Sequence, residues 1–396
     1  MERHVQLTWR QWLAVSALGL GSFSIVTTEL APVGLLTPIA QGFGIGSATA
    51  GLVVTVYAWV GAAAALISAT SLARAPRRRL LVVLMLVLAL STVGSGLSAS
   101  FGALMVARVA GALAHGTFWA MIGALAAQIV PARHVGRATA IIFGGVSAAS
   151  VVGVPMASYL GNLTSWQTVF YAIGGVSLLV AAVIRFSLPD LEGQKGINVA
   201  TLFRVARQRN LRMIFATTLL AITAHFTAFT YIEPFLEDIP AFGPEWVAGL
   251  LLVFGTAGLV GNVVSGMLID RHLKRMVAGA MLAASTALGL LVPASGPLAA
   301  ALVPVLLFLW GGAISVILVG LQTWIIREAG EAVLPASAIN VALFNGSVGL
   351  GAVAGSAIIA QNGMDTLYLI ASAMTLVGML PLMRVGMQDQ SFTSSA

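Results

Sequence analysis

Charge is excluded from most of this chain, and where it occurs it falls in alternate loops. Twelve apolar segments, at residues 12–39, 48–71, 80–98, 103–130, 139–160, 169–187, 213–236, 246–269, 276–292, 298–325, 334–360 and 367–383, are separated by polar loops. Each reaches or approaches the ~20 residues with which a helix crosses a ~30 Å hydrocarbon core. All but one of the 20 Lys and Arg residues lie at the two termini, in the even-numbered loops or, as Arg185 does, at the segment end that borders one. The exception, Arg108, lies inside segment 4. Basic residues collect on the cytoplasmic face of a membrane, so this split supports the span count and predicts both termini on that face. Only 8% of residues are charged, against about 25% in a soluble domain, too few to clothe a water-exposed surface. The net charge of +7 is therefore a matter of topology and implies no nucleic-acid partner. The first apolar segment runs well past the ~7–15 residues of a secretory signal core and has no small-residue cleavage site close behind it, so it is expected to remain as a helix.

The longest hydrophilic stretch, residues 188–210, divides the chain into 1–187 and 211–396. The two parts echo each other. Glu29 and Glu233, the Arg-rich turns ending at Arg79 and Arg275, and Gly145 and Gly346 recur at a nearly constant offset of about 200 residues. The predicted fold is an all-α polytopic membrane protein of twelve transmembrane helices, arranged as two pseudo-symmetric six-helix bundles joined by a linker. Duplicated bundles place their solute site at the interface of the halves near mid-membrane, so the expected task is movement of a small solute.

Only two of the 13 acidic residues, Glu29 and Glu233, fall within the segments. A carboxylate at the bilayer centre costs about 2.5–3.5 kcal/mol on insertion scales, so each is either satisfied by an Arg that ties helices together or is a titrating group. In segment 4, Arg108, His115 and Trp119 share one helical face with Gly111 close beside it, a stripe that suits a wet cavity. Arg108 and Glu29 both fall in the outer half and are placed to meet. In segment 7, His225 and Glu233 are two turns apart and border one cavity without touching, and Phe229 is placed either to stack on a ligand ring or to pack helices. Tyr57, Trp59, Tyr231 and Asn345 fall at depths suited to solute recognition, Asn345 also to holding helices together. Arg108 would hold Glu29 ionised, whereas Glu233 has no basic residue near it in sequence and burial favours the protonated form of a carboxyl. Glu233 therefore ranks just ahead of Glu29 as proton carrier, with His115 and His225 the other titratable groups. Gly145, Gly153, Pro155 and Gly161 give segment 5 a bent, grooved face that reads as tight packing.

These patterns resemble the major facilitator superfamily along essentially the whole chain. Gly266-Met267-Leu268-Ile269-Asp270-Arg271 with Lys274 and Arg275 is similar to the family's inter-helix loop signature; the first-half copy, residues 70–79, departs from it by lacking the Gly and the Asp. Arg108 with Gly111 resembles the segment-4 motif associated with proton coupling, and Gly145, Gly153, Pro155 and Gly161 the segment-5 motif of antiporters. Residues 27–36, Tyr57-Ala58-Trp59, residues 115–119 and residues 231–235 look like SotB-like bacterial sugar efflux transporters of the drug:proton antiporter branch. The resemblance implies a monomer in the bacterial inner membrane that exports arabinose- or thiogalactoside-like solutes in exchange for protons, with no cofactor beyond the proton gradient. A drug antiporter, a passive facilitator and an importer of the same fold are the nearer alternatives.

An enzyme is disfavoured: the five His residues show no metal-ligand spacing, and no nucleophile, base and orienting group stand together. With no Cys, thiol chemistry and Cys-ligated metals are excluded. A channel would need pore-lining rings. Two gating contacts are expected from the resemblance. Arg77, Arg78 and Arg79 would face Glu328 and Glu331 before segment 11, replacing the missing Asp. Asp270, followed by Arg271, would sit at the start of segment 5, where a helix N-terminus favours negative charge.

Overall fold

Hydrocarbon offers no partner to a backbone N–H or C=O, so a chain this apolar must satisfy those groups within each segment, as helices. The computed structural model describes residues 8–122, 125–131, 134–193, 196–292 and 300–385, and of Asp270 the backbone alone. Among them all regular structure is helical. Spans 1 to 6 are Trp9–Leu30, Leu52–Ser71, Arg77–Gly96, Phe101–Ile122, Val135–Leu163 and Trp166–Ser187. Span 7 is Arg209–Phe229 and span 10 is Val303–Ala329. Spans 8 and 9 lie in Pro244–Leu291, broken at His272 (φ −133°, ψ 28°), and spans 11 and 12 in Val333–Val377, broken at Gly363. The reversal at Gly363 uses φ +80°, a conformation that a Cβ would strain. The described residues thus form the twelve spans expected from hydropathy.

The first span of each half is interrupted on the side opposite the basic loops. Span 1 gives way after Leu30 to a 3₁₀ turn, Ala31–Gly34, and then to Leu36–Phe43; span 7 ends at Phe229 and resumes as Ile232–Glu237. Pro32 lies in the 3₁₀ turn and Pro234 in the resumed piece of span 7, and a ring nitrogen without N–H cannot continue the i→i−4 ladder. These breaks place Glu29 and Glu233 at bends rather than in straight helix.

Within the first half, span 1 packs on spans 5 and 6, span 2 on span 4, and span 3 on spans 4 and 6. In the second half, span 7 packs on the helix of spans 11 and 12, and span 10 on that of spans 8 and 9. The halves meet along two edges, span 2 against span 11 and span 5 against span 8. Span 5 holds span 1 closely. A Cβ at Gly145 would collide with the Gly19 carbonyl oxygen, one at Gly153 with the Thr27 hydroxyl, and one at Gly161 with Leu35. A π-turn at Ala149–Gly153 precedes Pro155 and bends the span between these contacts. The expected packing groove is therefore where span 1 lies.

The linker is strapped to the first half. The Arg77 N–H donates to the Leu191 carbonyl (2.9 Å), the Ile197 N–H donates to the Ala69 carbonyl (3.2 Å), and Arg78 pairs with Asp190 (2.6 Å). It then forms a short helix, Val199–Ala206, capped by the Asn198 side chain and packed against span 11.

The groove yields a stability prediction. Gly145→Val drives a side chain into the span 1 backbone and should cost about 1–3 kcal/mol, as overpacking does, seen as a lowered thermal unfolding midpoint in detergent. Gly144→Val, at a position with open space around it, should leave the midpoint nearly unchanged.

Candidate functional site

Between the halves lies a cavity of about 790 Å³. Its walls include Ala69, Leu72, Ala73, Arg77 and the linker's Ile197, and across from them Gln322, Leu334, Ser337 and Ala338. All of these stand at or near the basic-loop ends of their elements, so the mouth is on the basic side.

The floor is polar. Glu29 reaches it from the bend of span 1, His115 and Trp119 from span 4, and Asn345 from span 11. The Glu29 Oε2 atom is 3.8 Å from His115 Nε2, and the same nitrogen is 3.2 Å from Asn345 Oδ1. His115 thereby touches a carboxylate of its own half and an amide of the other half. Asn345 is itself fixed by donating to the Val341 carbonyl (2.9 Å). The second-half wall is aromatic. His225 and Phe229 line the cavity; their rings stack at 5.0 Å, and Phe229 stacks on Phe254 at 4.9 Å with Trp310 edge-on behind.

Several expected residues are elsewhere. Arg108 does not face the cavity. Buried to 1% exposure, it donates from Nη1 to the Thr28 carbonyl (2.7 Å) and lies 4.1 Å over the Tyr57 ring. Its Nε and Nη2 and the Glu29 Oε1 make no hydrogen bond among the described residues. Arg108 thus sits behind Glu29, while the group within ion-pair distance of Glu29 is His115. Tyr57 is covered by that guanidinium. Trp59 is 44% exposed and donates from Nε1 to the Gly346 carbonyl (3.2 Å), tying span 2 to span 11. Tyr231 donates to the Ala352 carbonyl (2.7 Å). Tyr57, Trp59, Tyr231 and Glu233 are absent from the cavity wall, and Phe229 offers its face to neighbouring rings. Sequence spacing gave depth along each helix but not which way its faces turn once packed.

Glu233 lies at the closed end. Its Oε2 accepts from the Thr37 N–H and from the Thr37 hydroxyl, each at 2.9 Å, a latch between the two halves. Nearby, Asn162 of span 5 donates to the Pro244 carbonyl (3.2 Å) and Tyr231 packs against Gly51. Beyond the span, Glu237 is half-buried, and burial pushes its carboxyl above the ordinary range, against a hydrogen bond with Thr37 and with Asp238 adding to the rise.

The gating residues have other partners in this conformation. Among the described residues no contact joins Arg77, Arg78 or Arg79 to Glu328 or Glu331. Arg78 takes Asp190 from the linker, Arg77 lines the mouth, and Glu328 accepts from Asn210 (2.9 Å). Arg77 on one side and Leu334 and Ser337 at the start of span 11 on the other line the mouth, so the cavity lies between the first-half loop and span 11 in this conformation. The Asp270 side chain lies outside the described residues. In the same loop, Lys274 donates to the Met383 and Val385 carbonyls.

Two-fold repetition around a cavity open on one side is the architecture of a secondary transporter, and the comparisons agree. The sequence profile described as Major Facilitator Superfamily matches residues 16–342, and the chain belongs to that family of membrane transporters. Among solved structures, it is similar to a bacterial homologue of the human lysosomal transporter Spinster in an inward-facing, unoccupied conformation (TM-score 0.71, 16% identity, covering 96% of each chain). The occupied form of that homologue gives TM-score 0.72 at 14% identity, covering 95% of this chain and 96% of that one. The human organic anion transporter MFSD10 gives TM-score 0.69 at 16% identity, covering 95% of this chain and 100% of that one. At these identities the likeness is one of fold.

The latch can be tested because the chain has no native Cys. Thr37→Val removes one of the two donors to Glu233, about 1 kcal/mol and so about a fivefold shift toward opening at that end. A single cysteine placed at Ser158, fully buried at the closed end, should then be alkylated about fivefold faster by a membrane-impermeant reagent added from that side. An unchanged rate would show that Thr37 does not hold the barrier shut.

Proposed function

We propose that this chain exports small neutral hydroxylated solutes, of the arabinose or thiogalactoside kind, from the bacterial cytoplasm in exchange for protons. It acts as a monomer in the inner membrane with both termini and the cavity mouth facing the cytoplasm. The observation that carries the reading is the Glu29–His115–Asn345 chain on the cavity floor. A titratable pair there shares its atoms with a hydrogen bond that crosses between the halves.

The geometry supports exchange in the following way. With Glu29 ionised, its negative charge and the positive charge of Arg108 behind it balance, and His115 Nε2 has two acceptors within reach. A proton on Glu29 removes its charge, which weakens its pull on His115 and leaves Arg108 without a counter-charge, so protonation changes the contact that His115 makes with Asn345 of the other half. Proton and solute then compete for one floor, the condition for antiport: each ligand shifts the balance between states by its differential affinity for them. Glu233, favoured from sequence as the proton carrier, is held by Thr37 outside the cavity and is assigned here to the outer latch, with Glu29 taking its place as carrier.

A second reading rests on the ring stack of His225, Phe229 and Phe254, which suits a flat aromatic, drug-like solute. Competition separates the two, since an aromatic substrate is displaced by other aromatics and not by sugars.

Proteoliposomes carrying a pH-sensitive dye test the coupling. Glu29→Gln should still exchange solute across equal pH but move no protons, whereas Glu233→Gln should retain proton movement with altered turnover. Proton movement intact in Glu29→Gln and lost in Glu233→Gln would reverse the assignment.

A further inference from the structure

Nearer the mouth than the Glu29 floor, the second-half wall carries a separate polar cluster. Gln322 of span 10 lies seven residues before the helix end at Ala329, and Asn340 of span 11 lies seven residues after the helix start at Val333. Both are therefore ~10 Å in from the basic side, whereas Asn345 is ~18 Å in. The Asn340 Nδ2 donates to Gln322 Oε1 (2.9 Å), and the Gln322 Nε2 donates to Ser337 Oγ (3.3 Å). All three side chains line the cavity, with Asn262 and Ser315 on the same wall. The chain of bonds is incomplete. Asn340 Oδ1 is buried and makes no hydrogen bond among the described residues, and the second N–H of each amide and the Ser337 hydroxyl hydrogen are not used within the chain of bonds.

A cluster that only tied span 10 to span 11 would need no such surplus, and an orphaned buried acceptor is destabilising. Its complement is a group that both donates and accepts, carries no charge and reaches the wall from the cavity. No member of the cluster is ionisable, so a charged ligand would be desolvated there without a counter-charge. A hydroxyl meets every condition.

We infer that Asn340, Gln322 and Ser337 form a second solute subsite, which binds neutral hydroxyl groups on the way between the mouth and the Glu29–His115–Asn345 floor. The inference rests on the proposed reading of the cavity as a site for hydroxylated solutes, and it adds a location for selectivity apart from the proton-coupled floor. Sugars are held here by amides that do not titrate, so recognition at this wall is independent of the protonation that drives the cycle.

Calorimetric titration of the purified protein with isopropyl thiogalactoside, and with an analogue lacking one ring hydroxyl, tests it. Asn340→Leu and Gln322→Leu should each weaken binding of the full thiogalactoside about tenfold, by the same factor on either side of neutral pH, with the unfolding midpoint little changed. For at least one deoxy analogue the variants and the wild type should bind alike, because the lost hydroxyl is the one the amides read. Gln322→Met and Ser337→Ala supply the same comparison if Asn340→Leu does not fold. A wild type that binds the thiogalactoside while every variant keeps its affinity and its discrimination overturns the subsite alone. A wild type that binds aromatic cations and no thiogalactoside overturns the reading of the cavity and the subsite with it.

Discussion

The structure depends on the impossibility of leaving a polar group unanswered in hydrocarbon. That constraint makes each apolar segment a helix, and it dictates what happens to the few polar side chains carried inside. Hydroxyls fold back on their own helices: Thr28 on the Ser24 carbonyl, Thr227 on Thr223, Thr230 on Phe226. Groups too large or too charged for that must be shared between helices, and the sharing defines the interfaces. Trp59 joins span 2 to span 11, Tyr231 joins span 7 to span 11, and Glu233 joins the closed ends of the two halves through Thr37.

Arg108 shows the same constraint incompletely met. One of its donors is spent on the Thr28 carbonyl and its face on Tyr57, while two nitrogens make no hydrogen bond among the described residues. A guanidinium in this condition is a fixed positive charge beneath the cavity floor, and its effect on Glu29 is exerted across the bend of span 1 rather than by direct pairing. The bend follows from Pro32, and the close approach of span 1 to span 5 follows from Gly145, Gly153 and Gly161. Residues with no chemistry of their own thus set where the carboxylate of Glu29 stands.

The two ends of the cavity are built on different principles. The closed end uses hydrogen bonds from one half to the other, two of them accepted by Glu233, itself 1% exposed, where exclusion of water strengthens them. The open end relies on exposed charge: Arg78 and Asp190, the latter 71% exposed in its side chain, form a pair of the kind worth about 0–1 kcal/mol. The first-half loop lacks an Asp of its own, and the linker supplies one. This pair joins the linker to the half that precedes it, and the helix Val199–Ala206 rests on the half that follows.

Sequence alone determined the twelve spans, their duplication, the side that carries positive charge, and the short roster of polar residues available inside, because hydropathy and charge are properties of a segment taken by itself. Gln322 and Asn340 are legible there too, as uncharged amides within predicted spans that must find partners, at a smaller penalty than a charged group would carry. What it did not hold was orientation. Arg108, His115 and Trp119 share one face of a helix, yet His115 and Trp119 reach the cavity and Arg108 is buried behind it; Trp59, two residues from Tyr57, turns outward. Rotation of a helix about its axis, and the partner it finds for each polar group, are set by contacts among helices distant in sequence. Only the packed tertiary structure could decide that His115, and not Arg108, stands within reach of Glu29.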